Sequence, residues 1–156
     1  MKRRPPSASR RPPSDAELEW IDVRLRGATE LVNAFVGVQM DSSHPDVTLL
    51  DQAFAGWLED WLGRPESERA DPNAFMDTFG IAFGQSLVEG LGLEWKVVID
   101  SDGAELAVHG DPGDFLVFPP NLVAKRFVAR ETSFLEPVYH EIARTLHDLR
   151  EGNLPS

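Results

Sequence analysis

The sequence contains no cysteine. Disulfides, catalytic thiolates, and zinc or iron–sulfur sites built on cysteine are therefore excluded. A chain of 156 residues does not need such cross-links, because a domain of about this length buries roughly 68–70% of its unfolded surface. The absence of disulfides suits a reducing compartment, and we expect a cytoplasmic protein.

Long apolar runs are also missing. No stretch approaches the roughly 18–20 uncharged apolar residues that a membrane helix needs. The chain opens with basic residues, as a signal peptide does, but Asp15, Glu17 and Glu19 stand where the apolar region of such a peptide would follow. We therefore expect a protein that is neither exported nor inserted in a membrane.

Basic residues are scarce beyond the first 13 positions. The whole chain carries a formal charge of −11, yet residues 1–13 contain five Lys or Arg and no acid, so the remainder carries −16. Such an acidic body repels phosphate backbones over about a Debye length, roughly 8 Å at physiological salt. We do not expect the folded domain to bind nucleic acid, although a weak, salt-sensitive contact through the basic segment stays open.

The basic segment repeats the pentapeptide Arg-Arg-Pro-Pro-Ser at 3–7 and 10–14. Paired prolines and like charges favour a solvated, extended chain over packed structure. We predict a disordered tail over 1–13, one domain over 14–150 and a flexible end over 151–156.

Three helices are predicted in the first part of that domain. Ser14 and Glu17 form a capping-box pattern, and an apolar stripe follows to about residue 40. A second apolar face spans 47–62, and a third begins at Asp71-Pro72 and ends at Gly90 or Gly92. Within the third helix, Gly80 and Gly84 lie one turn apart, which favours close approach of another backbone.

The periodicity then changes to that of strands. Alternation over 94–99, an Asp-Gly turn, and apolar stretches at 105–108 and 115–118 predict a three-stranded antiparallel meander. Residues 121–129 fit a short helix better than an edge strand. A last helix runs from Thr132 or Ser133 to Arg150, which gives an α+β fold with three N-terminal helices, a meander and a C-terminal helix.

Two motifs resemble metal sites only at first sight. Asp100-x-Asp102-Gly103 opens like a calcium loop but lacks its third ligand and its distal glutamate, so a hairpin turn is favoured. His140-Glu141 lacks the second histidine of a metalloprotease helix, because position 144 is arginine. We predict no metal and no cofactor.

Lys125-Arg126 is the most informative polar pair. Between positions 70 and 124 the only basic residue is Lys96, against nine acids. Arg126 can clamp a carboxylate, and a salt bridge within the fold is favoured over a ligand. The candidate binding residues are Lys125 and Arg126, together with Trp95 and Asp100.

The segment from Gly80 to Arg126 contains an ordered set of motifs. They are Gly80-x-x-x-Gly84, Leu93-x-Trp95, Asp100-x-x-Gly103, an apolar strand, Pro119 after the third strand, and Val123-Ala-Lys-Arg126. In this set the segment resembles the DUF3806 family of bacterial domains, in which the basic tail has no counterpart. The resemblance implies a cytoplasmic bacterial domain with no established activity, cofactor or site.

These observations favour a non-catalytic protein-interaction or regulatory domain. Its acidic surface suits a basic protein partner. The alternative is a small hydrolase-like enzyme with a dispersed site near Lys125, Arg126 and Asp100. No catalytic motif in the sequence supports that alternative.

Overall fold

Residues 9–152, the part described in this computed structural model, form an α+β structure with five α-helices and one four-stranded antiparallel sheet. The strands follow one another in space in the order β1-β2-β3-β4. The strands are β1 Ser9–Arg11, β2 Glu94–Asp100, β3 Gly103–Gly110 and β4 Phe115–Val117. The helices are α1 Asp15–Val36, α2 Val47–Gly63, α3 Asn73–Leu91, α4 Pro119–Val128 and α5 Leu135–Arg150, with a 3-10 turn at Glu66–Glu68.

Strand β1 corrects the prediction of disorder over 1–13. Residues 9–11 pair antiparallel with β2, so that Ser9 lies opposite Ile99. Arg10 forms an ion pair with Asp114, and Arg11 binds Glu17 at 2.6 Å. The pairing with β2 and the Arg10–Asp114 contact are distant in sequence, and they order a strand too short to show a sequence period. Residues 1–8 and 153–156, which complete the predicted tail and flexible end, lie outside the described residues.

The predicted hairpin of β2 and β3 is confirmed, and the meander gains β1 as a fourth strand. Asp100 lies opposite Gly103, and the Asp102 N–H donates to Asp100 Oδ1 at 2.8 Å. Gly103 has a φ of 125°, which glycine adopts without the strain a side chain would bring. Asp100-x-Asp102-Gly103 is therefore a hairpin turn.

The two faces of the sheet bury different clusters. Trp95, Leu106, Val108 and Val117 face the helices and pack with them in the main core. On the opposite face, a second buried cluster comprises Val98, Ala107, Leu116 and Phe118.

Helix α3 lies at the centre of the main core. Phe79 and Phe83 are fully buried, and Phe54 of α2 meets Phe79 edge-on with ring centroids 5.2 Å apart. Phe134, just before α5, meets the same Phe54 ring at 5.3 Å. Edge-to-face pairs of this kind stabilise a core beyond simple area burial.

The fold contains one more helix, α4, than the predicted arrangement of three N-terminal helices and one C-terminal helix. The short helix favoured over 121–129 exists, but it starts at Pro119, and the fold therefore has two helices after the sheet. Proline is tolerated in a first helical turn, where the N–H has no partner within the helix. Gly80 of α3 lies against the backbone of Pro119 and Pro120, which confirms the close backbone approach expected at that glycine. Gly84 instead lies against side chains, those of Trp95 and Pro119.

The ends of α1 and α5 differ from prediction. Helix α1 ends at Val36, because Gly37 takes a left-handed conformation with a φ of 78° and its N–H donates to Val32 O and Asn33 O. Helix α5 begins at Leu135 and is not capped by Thr132 or Ser133. Within residues 9–152, none of the helices is long and apolar enough to cross a membrane.

Candidate functional site

The structure separates the four predicted binding residues. Lys125 and Arg126 lie in the last turn of α4 and line a cleft between α4 and α5. Trp95 and Asp100 are not among the residues that line it. Trp95 is the second residue of β2 and Asp100 its last, so the two lie about 17 Å apart at the usual rise per strand residue.

The α4–α5 cleft has a volume of about 220 Å³. Its buried lining residues are apolar and its exposed ones are charged. Residues three and four apart share one face of a helix, so each helix presents several side chains to the cleft. Asn121 and Lys125 line up in this way on α4, as do Val138, Glu141 and Ile142 on α5. The lining residues are Val117, Phe118, Asn121, Leu122, Lys125, Arg126, Val138, Glu141 and Ile142.

Arg126 is held in place at the rim. Its Nη1 donates to Glu131 Oε2 at 2.7 Å, and its guanidinium lies 5.9 Å from the centre of the Phe134 ring. Arg126 thus forms the internal salt bridge favoured for it. Only one of its five N–H donors is used in this bond, so the others can still reach a ligand.

The other rim groups are free within the described structure. The side chains of Asn121, Lys125 and Glu141 make no hydrogen bond or ion pair with any residue of 9–152. The cleft therefore presents a cation, an amide and an anion around an apolar floor.

Trp95 is occupied inside the fold. Its indole Nε1 donates to Gln85 Oε1 at 2.9 Å. A Cβ on Gly84 would lie 2.9 Å from the Trp95 Cζ2, so the glycine makes room for the ring. Trp95 thus joins the sheet to α3.

Asp100 is remote from the basic pair. It is the last residue of β2, next to the turn into β3, whereas α4 follows β4, which lies beyond β3 in the sheet. The structure therefore does not assemble Asp100 with Lys125 and Arg126 as the hydrolase-like alternative requires.

A second concavity, which we call the acidic groove, runs between the start of α2, the end of α3 and the start of α5. It consists of two cavities of about 430 and 530 Å³ that share Thr48, Glu136 and His140. Among residues 9–152, neither Lys nor Arg lines it. Its ionisable residues and Tyr139 come from all three helices and the preceding loop: His44, Asp46, Asp51, Glu89, Glu136, Tyr139 and His140.

Hydrogen bonds fix the carboxylates of the acidic groove. Thr48 Oγ1 donates to Glu136 Oε2 at 3.1 Å, and Gln85 donates to Glu89 Oε1 at 3.1 Å. His44 Nε2 lies 3.3 Å from Glu89 Oε2. Glu89 and Glu136 keep side-chain exposures of 39% and 46%, so both remain accessible to a partner.

Asp51 lies beneath this groove and caps α5. Its two carboxylate oxygens accept the N–H groups of Leu135 and Glu136 at 2.8 and 2.9 Å. Burial raises the pKa of Asp51, and the two N–H donors oppose that rise. The carboxylate therefore replaces the cap that Thr132 or Ser133 was expected to provide.

Sequence reasoning missed the acidic groove because its residues lie far apart in the chain. His44 and His140 belong to different segments, and neither has a motif partner nearby. The one sequence feature that relates to the acidic groove is the excess of acidic residues after position 13, which predicts an acidic surface but not its location. No three His, Asp or Glu side chains in the described part of the chain are grouped so as to hold a metal ion.

Comparison with known proteins identifies a family and a fold. The family model for the domain of unknown function DUF3806 matches residues 58–139. A crystal structure of a protein from Bacteroides thetaiotaomicron VPI-5482 is similar, with a TM-score of 0.66 and 15% sequence identity. The similarity covers 86% of this chain and 47% of that one, so this chain spans about half of its length. A search of curated proteins found no match.

Proposed function

Because the chain belongs to the DUF3806 family of domains of unknown function, we propose its role from the geometry: a non-catalytic interaction domain of the cytoplasm. In this proposal it binds a basic protein partner in the acidic groove. The cytoplasmic location rests on the absence of cysteine, which suits a reducing compartment.

The observation that carries the proposal is the charge of the groove. Glu89 and Glu136 face it from α3 and α5, and both are part-exposed. Lysine or arginine side chains of a partner can pair with these carboxylates while their aliphatic stems lie against Pro45 and Tyr139. Tyr139 stays uncharged at neutral pH, because burial raises its pKa further above 10.0.

The charge of the whole domain supports the same partner. Three of the fifteen basic residues precede Ser9 and all 26 acids lie between Asp15 and Glu151, so residues 9–152 carry −14. An acidic surface of this kind steers a basic partner and accelerates its association at low salt.

A lysine- and arginine-rich peptide labelled with a fluorophore tests the proposal. We expect the double variant Glu89→Gln, Glu136→Gln to weaken binding at least tenfold, since two charge-assisted hydrogen bonds are lost. Fluorescence anisotropy at 50 and 150 mM salt measures the affinity.

The matched control is Glu59→Gln, Glu66→Gln. It removes the same charge from exposed positions outside the groove. An equal loss of affinity in both double variants would mean that only net charge matters. That result would reject the groove as the binding site.

A further inference from the structure

The α4–α5 cleft is built from parts that the acidic groove lacks. The two concavities share no lining residue, and the cleft alone contains a lysine and an arginine. Whatever binds in the cleft must satisfy a chemistry different from that of a basic partner.

The floor of the cleft accepts an apolar group. Val138 and Ile142 of α5, Leu122 of α4 and Phe118 just before α4 line it with apolar side chains. Its volume of about 220 Å³ is below the roughly 300 Å³ at which pockets for drug-sized ligands begin. The cleft therefore suits one small molecule with a single apolar side chain.

The basic side of the rim accepts a carboxylate. The Lys125 ammonium has no partner among residues 9–152, and Arg126 uses one of its N–H donors for Glu131. A planar guanidinium beside a free ammonium can hold both oxygens of a carboxylate. The Asn121 amide, one turn before Lys125, adds a further donor on the same wall.

The opposite wall accepts an ammonium group. Glu141 stands on α5 without a described hydrogen-bond or ion-pair partner. A carboxylate alone would be repelled by the −14 charge of the described domain, whereas a zwitterion carries no net charge and meets no such long-range penalty.

From these features we propose that the α4–α5 cleft binds a free α-amino acid with an apolar side chain. The α-carboxylate lies at Lys125 and Arg126, the α-ammonium at Glu141, and the side chain over Leu122, Val138 and Ile142. The site is independent of the proposed interaction with a basic protein, and either can fail without the other.

Titration calorimetry with L-leucine tests this site. Two analogues each remove one charge: 4-methylpentanoate lacks the ammonium, and 3-methylbutylamine lacks the carboxylate. We expect leucine to bind and each analogue to bind at least tenfold more weakly, since hydrogen bonds to charged groups of this kind are worth about a factor of ten or more.

Two variants locate the binding. Lys125→Met and Glu141→Gln should each weaken leucine at least tenfold. Arg144→Met and Glu151→Gln make the same changes at exposed positions outside the cleft and should leave affinity unchanged. Circular dichroism checks that all four variants fold.

Three results would overturn the assignment. The first is no heat and no NMR shift change in the cleft with millimolar leucine or phenylalanine. The second is that 4-methylpentanoate binds as tightly as leucine, which would show that Glu141 does not bind the ammonium group. The third is equal weakening by Lys125→Met and Arg144→Met.

Discussion

Gly80 of α3 lies directly against Pro120 of α4. A Cβ at position 80 would be 2.6 Å from the Pro120 nitrogen, closer than real Cβ atoms come to another heavy atom. The obstacle is backbone, which cannot rotate away as a flexible side chain can. This contact places α4, and with it the basic side of the α4–α5 cleft.

Gly80→Ala should therefore destabilise the protein. Overpacking a core costs about 1–3 kcal/mol, and a shift of the α4 backbone would add to this cost. The gain in helix propensity from glycine to alanine, about 1 kcal/mol, offsets only part of it. Urea unfolding followed by circular dichroism measures the change.

Gly27→Ala is the matched control for that substitution. Position 27 is also inside a helix, but a Cβ there would meet Thr78 at an ordinary 3.5 Å. The free energy of unfolding should rise by up to about 1 kcal/mol. If both substitutions stabilise the protein equally, the close contact at Gly80 does not exist in solution.

Asp51→Ala should destabilise the protein by about 1–3 kcal/mol, since it leaves the N–H groups of Leu135 and Glu136 without their acceptor. Gln52→Ala, at the neighbouring exposed position, should change stability by less than about 0.5 kcal/mol. Amide exchange at the start of α5 should accelerate only in the Asp51 variant. Unchanged protection there would show that α5 is capped by another group.

Glu17 should contribute to stability in acid. Its pKa is lowered from 4.5 to about 2, first by the hydrogen bond from Arg11 and then by the Ser14 N–H. Because the pKa of Glu17 is lower in the folded state than in the unfolded state, its ionised carboxylate stabilises the folded protein at pH values above 4.5. That contribution to the free energy of unfolding is lost as the pH falls from 4.5 through about 2. Over that range the wild type should lose stability more steeply than Glu17→Gln.

Urea titrations between pH 2 and 6 compare the two proteins. Glu19→Gln, which removes a carboxylate in the same turn but no described hydrogen bond, should follow the wild type. Parallel curves for all three proteins would exclude the Arg11–Glu17 pair as a contributor.

Asp114→Asn should loosen β1. Asp114 forms an ion pair with Arg10, and its Oδ1 lies 2.7 Å from His109 Nε2. Asparagine tolerates its φ of 53°, so the substitution removes charge and leaves the backbone unstrained. Stability should fall by up to about 1 kcal/mol, with a smaller difference at high salt.

Amide exchange in β1 and β2 measures this effect residue by residue. Asp111→Asn removes a nearby exposed charge and should leave the exchange of β1 unchanged. Equal acceleration in both variants would assign the effect to net charge and not to the Arg10 contact.

Sequence patterns predicted the elements whose period spans many residues. The capping box of Ser14 and Glu17 located α1, and the Asp-Gly turn at Gly103 located the β2–β3 hairpin. Strand β1 was not predicted, because three residues are too few to show a strand period. One of its contacts, the ion pair of Arg10 with Asp114, also joins positions more than a hundred residues apart.

The candidate sites show the same division. The basic character of Lys125 and Arg126 is visible in the sequence, and the cleft they line is not, because α5 supplies its other wall. Trp95 and Asp100 are candidates from the sequence, but both lie in β2 and neither lines the cleft. The acidic groove joins three helices and has no local signal.

The cap that Asp51 provides also sets an order of events during synthesis. Its partners are 84 and 85 positions further along the chain. While the protein is being made, the carboxylate stays hydrated until the residues that start α5 leave the ribosome. A chain that ends before residue 135 lacks both amides, so the Asp51 carboxylate near the start of α2 then has no N–H group of α5 to accept from. The formation of α5 thus converts the Asp51 carboxylate from a hydrated surface group into a buried one.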